Sequence, residues 1–521
     1  METWTPPSGL LRKTRTISVS VSMLDFTGQR CPASDSLKAM GLRPGTWRRR
    51  TPEALEHFTF GPFMSALDRS EHPPGDGRAA GLDGRRTHEG LDRWTEHAVA
   101  TYRHAFPADP AAPMAEVEEP WVYRYQPDGR DHRGADEYRI TLWGRFLSSP
   151  DGSVRELRVP AYRLGKPVSD VRRAVTAFVM AEGTPGPPPE RVRVLRFALL
   201  DGRTEVLFNG TRDEAVALYR EHGSKALTEL LDRPEYRPGS ACIGCSYLTT
   251  CPAVPKAPGL LGVRSEQPRP RRSWSATNGR SYRTCPARDH LRRLRLPAAR
   301  ELEAAPDAER GRAVHAYLAA QHSAHPVTPC TPHVPAHWVP ERYELTDEQR
   351  RLGATLLRRH AAVCPLRHLR DDDTLLAEQR LVHHDTEADV LIIADPDLLY
   401  RDGESWVWRE VKSSSRNKRW WRDPLRAYPQ LALGVLLISH MELGGARSGA
   451  RVELEVLRPG GADLEIIDPY TPAVRETADE VVRDHVRDWH QDDLFAPQPG
   501  EHCGTCEVSR WCAAASVGAA A

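Results

Sequence analysis

Apolar residues in the second half of the chain switch between helical and strand spacing. Thr346-Asp-Glu-Gln349 forms a capping box ahead of a periodic run to about Leu366, which predicts a helix. Residues 388–399 and 405–412 are rich in Val, Ile, Leu and Trp and predict adjacent strands, with a turn at Asp402-Gly403. Residues 431–438 are apolar throughout and predict a buried helix, while 451–457 and 463–467 predict two further strands. Thr471-Pro472 opens a helix whose apolar positions run Val474, Ala478, Val482, Val486 and Trp489. Helix, hairpin, helix, strand, helix is the order of an α/β fold with a mixed sheet.

The cysteines show that the pattern is written twice. Cys242, Cys245 and Cys251 have the spacing C-x2-C-x5-C, and so do Cys503, Cys506 and Cys512. Each triplet follows a lone Cys-Pro, at Cys31 and at Cys285, by 211 and 218 residues. Gly84-x-x-x-His88 and Gly311-x-x-x-His315 add a further match, each expected to open a helix, and Asp151-Gly152 matches Asp402-Gly403 as a turn. The Pro-rich stretch between the halves reads as a linker. The domains expected are therefore 1–258, a linker at 259–272, 273–515, and a tail at 516–521. Each domain carries a central mixed sheet flanked by helices and a set of four cysteines.

Composition narrows the function. With 72 basic and 71 acidic residues the net charge is +1, so no global field draws the chain to nucleic acid or membrane and any such surface is local. No run approaches a membrane span and the first 30 residues lack a signal-like apolar core, which predicts a cytoplasmic protein without membrane contact. Ten cysteines are too few for a disulfide scaffold of 521 residues, and clustered thiols in a reducing compartment point to metal, either Zn²⁺ or iron-sulfur. Cys330 and Cys364 fall in neither set and read as ordinary thiols.

Only seven of the basic residues are Lys, so a Lys inside a motif stands out. Lys412 follows Glu410 by two positions on a predicted strand, and the two side chains share a face. Asp397, at the end of the preceding strand, can join them across the hairpin. Two carboxylates converging on a Lys make an oxygen-ligand site for Mg²⁺ or Mn²⁺, with Lys steadying developing charge or a water. Arg416, Lys418, Arg419, Trp420 and Trp421 follow directly and offer cations interleaved with indoles, a pattern suited to single-stranded nucleic acid. The chain contains no G-x-x-x-x-G-K-[ST] sequence, so any unwinding falls to a separate helicase.

His315 in Gly-x-x-x-His, Asp397 after an apolar strand, Glu410-x-Lys412, Gln430 opening a helix, and Cys285 with Cys503, Cys506 and Cys512 together resemble the RecB-like, iron-sulfur branch of the PD-(D/E)XK nuclease superfamily. CRISPR-associated exonucleases and AddAB-type nuclease domains belong to that branch. The resemblance implies a DNA nuclease with His315, Asp397 and Glu410 on a divalent metal, Lys412 catalytic and Gln430 near the site. It also implies a [4Fe-4S] cluster stapling the ends of the domain. By repetition, Cys31, Cys242, Cys245 and Cys251 would hold a second one. The expected activity is hydrolysis of phosphodiester bonds at single-stranded DNA ends; a non-catalytic DNA-binding or assembly subunit is the alternative. Aligning the halves sets Leu147, Pro160 and Tyr162 against Asp397, Glu410 and Lys412, which makes the first domain an inactive copy.

Overall fold

The computed structural model describes residues 6–24, 30–45, 50–71, 85–129, 133–264, 267–299, 305–324, 328–369, 374–417, 421–440 and 442–515. The chain divides into two compact units, residues 1–50 with 55–253 and residues 51–54 with 254–521. No described helix is long and apolar enough to cross a membrane.

The first unit runs β1 (Leu10–Arg12), β2 (Thr16–Ser20), α1 (Pro32–Ala39), β3 (Leu42–Pro44), α2 (Phe60–Glu71), α3 (Glu89–Ala105), β4 (Ala115–Glu116), β5 (Val122–Tyr125), β6 (Glu137–Thr141) and β7 (Arg145–Ser148). It continues with β8 (Val154–Ala161), α4 (Asp170–Glu182), β9 (Arg191–Ala198), β10 (Thr204–Thr211), α5 (Arg212–Leu218) and α6 (Ser224–Leu231). The second unit runs β11 (Arg272–Trp274), α7 (Ala276–Thr284), α8 (Pro286–Arg293), α9 (Pro306–His322), α10 (Asp347–His360), β12 (Leu375–Ala377), β13 (Leu381–Asp385), β14 (Val390–Ala394) and β15 (Leu398–Asp402). After these come β16 (Ser405–Ser413), α11 (Pro424–Ala427), α12 (Pro429–Ser439), β17 (Arg451–Arg458), β18 (Gly461–Ile467) and α13 (Pro472–Gln491).

Sheet order is the same in both units. The first has a five-stranded sheet, β4-β7-β8-β9-β10, and a three-stranded one, β2-β6-β5; the second has β12-β15-β16-β17-β18 and β11-β14-β13. In each large sheet the central pair is parallel, β8 with β9 and β16 with β17, and its other neighbours are antiparallel. A parallel pair needs a crossover, supplied by α4 in one unit and α12 in the other. Both are buried over most of their circumference, as a crossover helix in a core must be. The local origin is plain in α12, where every residue from Leu431 to Ser439 is buried, and in α4, which Ser169 caps through the Arg172 amide.

Three expectations change. The strand expected at 388–399 is two strands, β14 and β15, because Pro396 has no N–H to give a ladder and the chain turns around it. The described residues of the linker expected at 259–272 are packed into the second unit. Gly259 and Leu261 donate their amides to the buried Asp385 carboxylate, Leu260 and Leu261 are buried, and Arg272 begins β11. Finally, His88 and His315 do not correspond: His88 is the N-cap of α3, whereas His315 lies within α9, which begins at Pro306. Gly84 and the tail at 516–521 lie outside the described residues.

Candidate active site

The break at Pro396 is what builds the site. It leaves Asp397 one step beyond the last β15–β16 ladder pair, Leu398 with Arg409. There the free Val411 amide donates to Asp397 Oδ2 at 2.7 Å and fixes the carboxylate. Glu410 and Lys412, two apart on β16, project to one face as the strand period requires, and Lys412 Nζ donates to Glu410 Oε2 at 2.9 Å and to Asp397 Oδ2 at 3.3 Å. Trp408, on the same face, donates its indole N–H to Glu410 Oε1 at 3.1 Å. From α9, His315 Nδ1 donates to Asp397 Oδ1 at 3.0 Å. The arrangement thus brings together all four residues expected to carry the chemistry.

Gln430, in the first turn of α12, lines the same cleft, and its Oε1 is buried without a hydrogen-bond partner among the described residues. Four residues on, Gly434 packs against the Trp408 ring; a Cβ there would meet ring atoms at 2.9–3.1 Å, so only glycine fits beside this indole. Asp395 also lines the cleft, but its two carboxylate oxygens are held by Arg380.

One residue escaped the sequence reading. Glu378 follows β12 with φ +52°, donates its amide to the Asp397 carbonyl, and places its carboxylate with those of Asp397 and the His315 imidazole, ligand atoms mutually within 4.8 Å. No motif marks it; only the pairing of β12 beside β15 brings it in.

Burial and neighbouring charges pull the titratable groups of the site in opposite directions. Burial favours the neutral form of Asp397, but Lys412 and His315 outweigh it and hold the carboxyl below its ordinary range. Burial pushes Glu410 up, only partly opposed by Lys412, and pushes Glu378 up as well, with help from Asp397. Burial works against the Lys412 charge, yet Glu410 and Asp397 raise its pKa overall. His315 behaves likewise: burial lowers it, Asp397 more than compensates, and the net shift is upward. His315, Glu378 and Asp397 bring one imidazole and two carboxylates within 4.8 Å of one another, a donor set that fits a hard divalent cation, while Glu410 stands beside that group with its two oxygens on Lys412 Nζ and the Trp408 indole N–H.

These groups open on a cleft of about 1050 Å³ whose walls include Arg280, Arg312 and Arg342. The basic stretch expected to bind nucleic acid is less clear-cut. Trp421 is buried edge-on against Tyr428 with Arg458 over its ring, so it offers no stacking face to solvent. Arg416 is exposed, and Lys418, Arg419 and Trp420 lie outside the described residues.

The sequence model of the PD-(D/E)XK nuclease superfamily matches residues 273–513. Those residues form a PD-(D/E)XK nuclease superfamily domain. Among solved structures, the crystal structure of SSO0001 is similar to this chain at 16% identity and a TM-score of 0.18, over 27% of this chain and 61% of that one. A protein of Eubacterium rectale named for an inferred exonuclease activity is similar at 11% identity and a TM-score of 0.28, over 42% of this chain and 79% of that one. No curated protein matches the chain.

The first unit has nothing comparable at the positions that carry the nuclease-domain site. From β6 to β7 there are three residues, as from β14 to β15, so Gly144 stands where Asp397 does. Its cross-strand position, one step past Arg145 with Arg158, is Val159, the counterpart of Glu410; Ala161 then answers Lys412. The equivalences with Leu147, Pro160 and Tyr162 were out of register. The hairpin loop is two residues longer in the first unit, which shifts every alignment drawn across it. The acids of α2 and β4 nearby, Asp68, Glu71 and Glu116, are taken up by the buried Arg145 guanidinium.

The cysteine sets are built alike. In the first unit Cys31, Cys242, Cys245 and Cys251 line one cavity of about 270 Å³. The amides of Arg237, Gly239 and Tyr247 donate to Cys31, Cys242 and Cys245 at 3.4–3.5 Å. Burial first, and then the three neighbouring thiols, push Cys242 up to about 11, against the Gly239 amide. In the second unit Gln498 and Gly500, at the same offsets, donate to Cys285 and Cys503. Lone cysteines precede matching helices, α1 and α8. Four sulfurs around one cavity, with amides aimed at them, are a donor set that fits a metal cluster.

Proposed function

We propose that the chain is a metal-dependent DNA nuclease that hydrolyses phosphodiester bonds, acting on single-stranded ends, with one live and one silent copy of the same fold. The observation that carries this reading is the convergence of Asp397, Glu410 and His315 about Lys412 on the floor of an arginine-walled cleft. Asp397, Glu410 and His315, with Glu378, would hold Mg²⁺ or Mn²⁺. Bound there, the ion would acidify a water and polarise the phosphate. Lys412 keeps its proton, lies between the two carboxylates and can donate to a phosphate oxygen or orient the water. Arg280, Arg312 and Arg342 hold the backbone of the strand electrostatically. Gln430 offers a carbonyl or amide toward the same space.

The shared sheet order and cysteine architecture support a tandem duplication, and Gly144, Val159 and Ala161 support a first copy that binds or docks without cutting. The paired amide-to-sulfur bonds support a [4Fe-4S] cluster in each unit, stapling its ends. Unwinding would come from a separate helicase. The test is cleavage of end-labelled single- and double-stranded DNA with Mg²⁺ or Mn²⁺. Asp397→Ala, Glu410→Ala and Lys412→Ala are each expected to abolish cutting while leaving cluster absorbance unchanged. Three variants that cut like the parent would mean that the site lies elsewhere.

A further inference from the structure

The two cysteines left out of the four-thiol sets are not isolated. His322, the last residue of α9, and Cys330 in the segment after it meet His360, the last residue of α10, and Cys364, four residues on. One ligand atom from each lies within 4.8 Å of the others. His322 Nε2 stands 3.2 Å from His360 Nε2, 3.5 Å from Cys330 Sγ and 3.9 Å from Cys364 Sγ. Zn–N bonds of about 2.0–2.1 Å and Zn–S bonds of about 2.3 Å give tetrahedral edges of roughly 3.3 Å for N to N and 3.6 Å for N to S. The observed separations are those edges to within a few tenths of an ångström.

The surroundings make the same point. His360 is fully buried, Cys364 and His322 nearly so. His360 Nδ1 donates to Glu455 Oε1 at 2.6 Å, which leaves Nε2 as the nitrogen that faces His322 Nε2 and is placed to ligate a metal. Glu455 is buried and steadied by Arg409, which also holds Glu453 and the Val363 carbonyl. A carboxylate behind a ligating imidazole is the usual support of a zinc ligand, fixing its tautomer and raising its basicity.

We infer that His322, Cys330, His360 and Cys364 form a structural zinc site in the second unit, separate from the nuclease centre and from both four-cysteine sets. Two thiolates and two imidazoles give a neutral tetrahedral S₂N₂ shell, closed to substrate, which selects Zn²⁺ over hard cations. Its place in the fold assigns it a task. His322 lies seven residues beyond His315 on α9, along the same face, and a small cavity lined by His315, His322, His360, Glu378 and Asp397 lies between the two centres. Tying the C-terminal end of α9 to that of α10 fixes the helix that presents His315. The first unit contains no cysteines beyond its four-thiol set, so the device belongs to the unit with the intact site.

The zinc assignment does not rest on the nuclease reading, and its test does not use activity. Full-length protein from zinc-supplemented cells is expected to retain one zinc per chain after gel filtration, with a Zn K-edge absorption spectrum fitting two sulfurs and two nitrogens. A four-sulfur shell would mean zinc misplaced in a four-cysteine set and would overturn the assignment, as would absence of zinc or a Cys330–Cys364 disulfide found by mass spectrometry. Cys364→Ser is expected to lose the zinc with iron content unchanged, and Glu455→Gln to weaken zinc retention against a chelator by about 10–100-fold. If either variant fails to fold, the absorption spectrum of the unaltered chain still decides.

Discussion

Replacing Lys412 with Met keeps the length of the side chain and removes the one ammonium that stands between Glu410 and Asp397. In the parent chain that ammonium, 2.9 Å and 3.3 Å from the two carboxylates, balances a pair of which Glu410 is almost wholly buried. Removing one partner of a buried pair costs about 3–5 kcal/mol. Lys412 retains 23% of its side-chain exposure, which places the cost at the lower end. A second route sets a ceiling. The variant can relieve itself by protonating Glu410, and carrying a carboxyl from its ordinary 4.5 to neutral pH costs at most about 1.4 kcal/mol per unit, roughly 3 kcal/mol in all, part of which the parent already bears because burial raises Glu410 there too.

The pH dependence follows from the sign. Without Lys412, the folded pKa of Glu410 rises further above its unfolded value, so the folded state holds the proton more tightly. Stability is then full below about the unfolded pKa and is lost as pH rises toward the folded one. The penalty of Lys412→Met should therefore be small near pH 4.5 and approach about 3 kcal/mol at pH 7, measured by urea denaturation in EDTA. Mn²⁺ should restore it, because the ion replaces the missing charge, and should stabilise the variant more than the parent. A variant within about 0.5 kcal/mol of the parent at pH 7, or a penalty that does not change with pH, would refute the account of Lys412 as the internal cation of the site.

Glu378→Gln should leave cleavage at saturating Mn²⁺ largely intact but raise the metal concentration for half-maximal rate about tenfold, as loss of one carboxylate ligand would; an unchanged metal titration removes Glu378 from the site. In protein purified without oxygen, about eight iron atoms per chain are expected, and Cys285→Ser should lose about half of them, read by iron assay and visible absorbance. His315 must be unprotonated to bind a metal, and Asp397 raises its pKa above the ordinary 6.5 in the metal-free chain. Cleavage at limiting Mn²⁺ should accordingly climb with pH above that value, and His315→Asn should flatten the climb.

What the sequence discloses and what it hides follow from one distinction. Features that act within a short stretch are legible: Glu410 and Lys412 share a face because strands have a period of two, and the cysteine triplets repeat because each is a local turn with its own amide donors. Features that depend on how stretches meet are not. Glu378 enters the site through the ladder of β12 with β15, and His322, Cys330, His360 and Cys364 meet only because α9 and α10 pack side by side and end together.

The register error between the two halves has the same origin. Cysteines at both ends of each unit fix the repeat there, but a hairpin loop two residues longer in the first unit lies between them, and motif matching has no way to say where the extra residues go. Strand ends do say it, because a one-residue slip would move every side chain of β8 to the opposite face. With the ladders in place, Leu157 of β8 faces the α4 side of its sheet, as Trp408 faces the α12 side of the other. That parity admits Val159 and Ala161 opposite Glu410 and Lys412 and excludes Pro160 and Tyr162. Under the proposed duplication, the difference between the units is then one of side chains on the same face of the sheet, with Val159 and Ala161 in the ladder positions that Glu410 and Lys412 hold in the second unit.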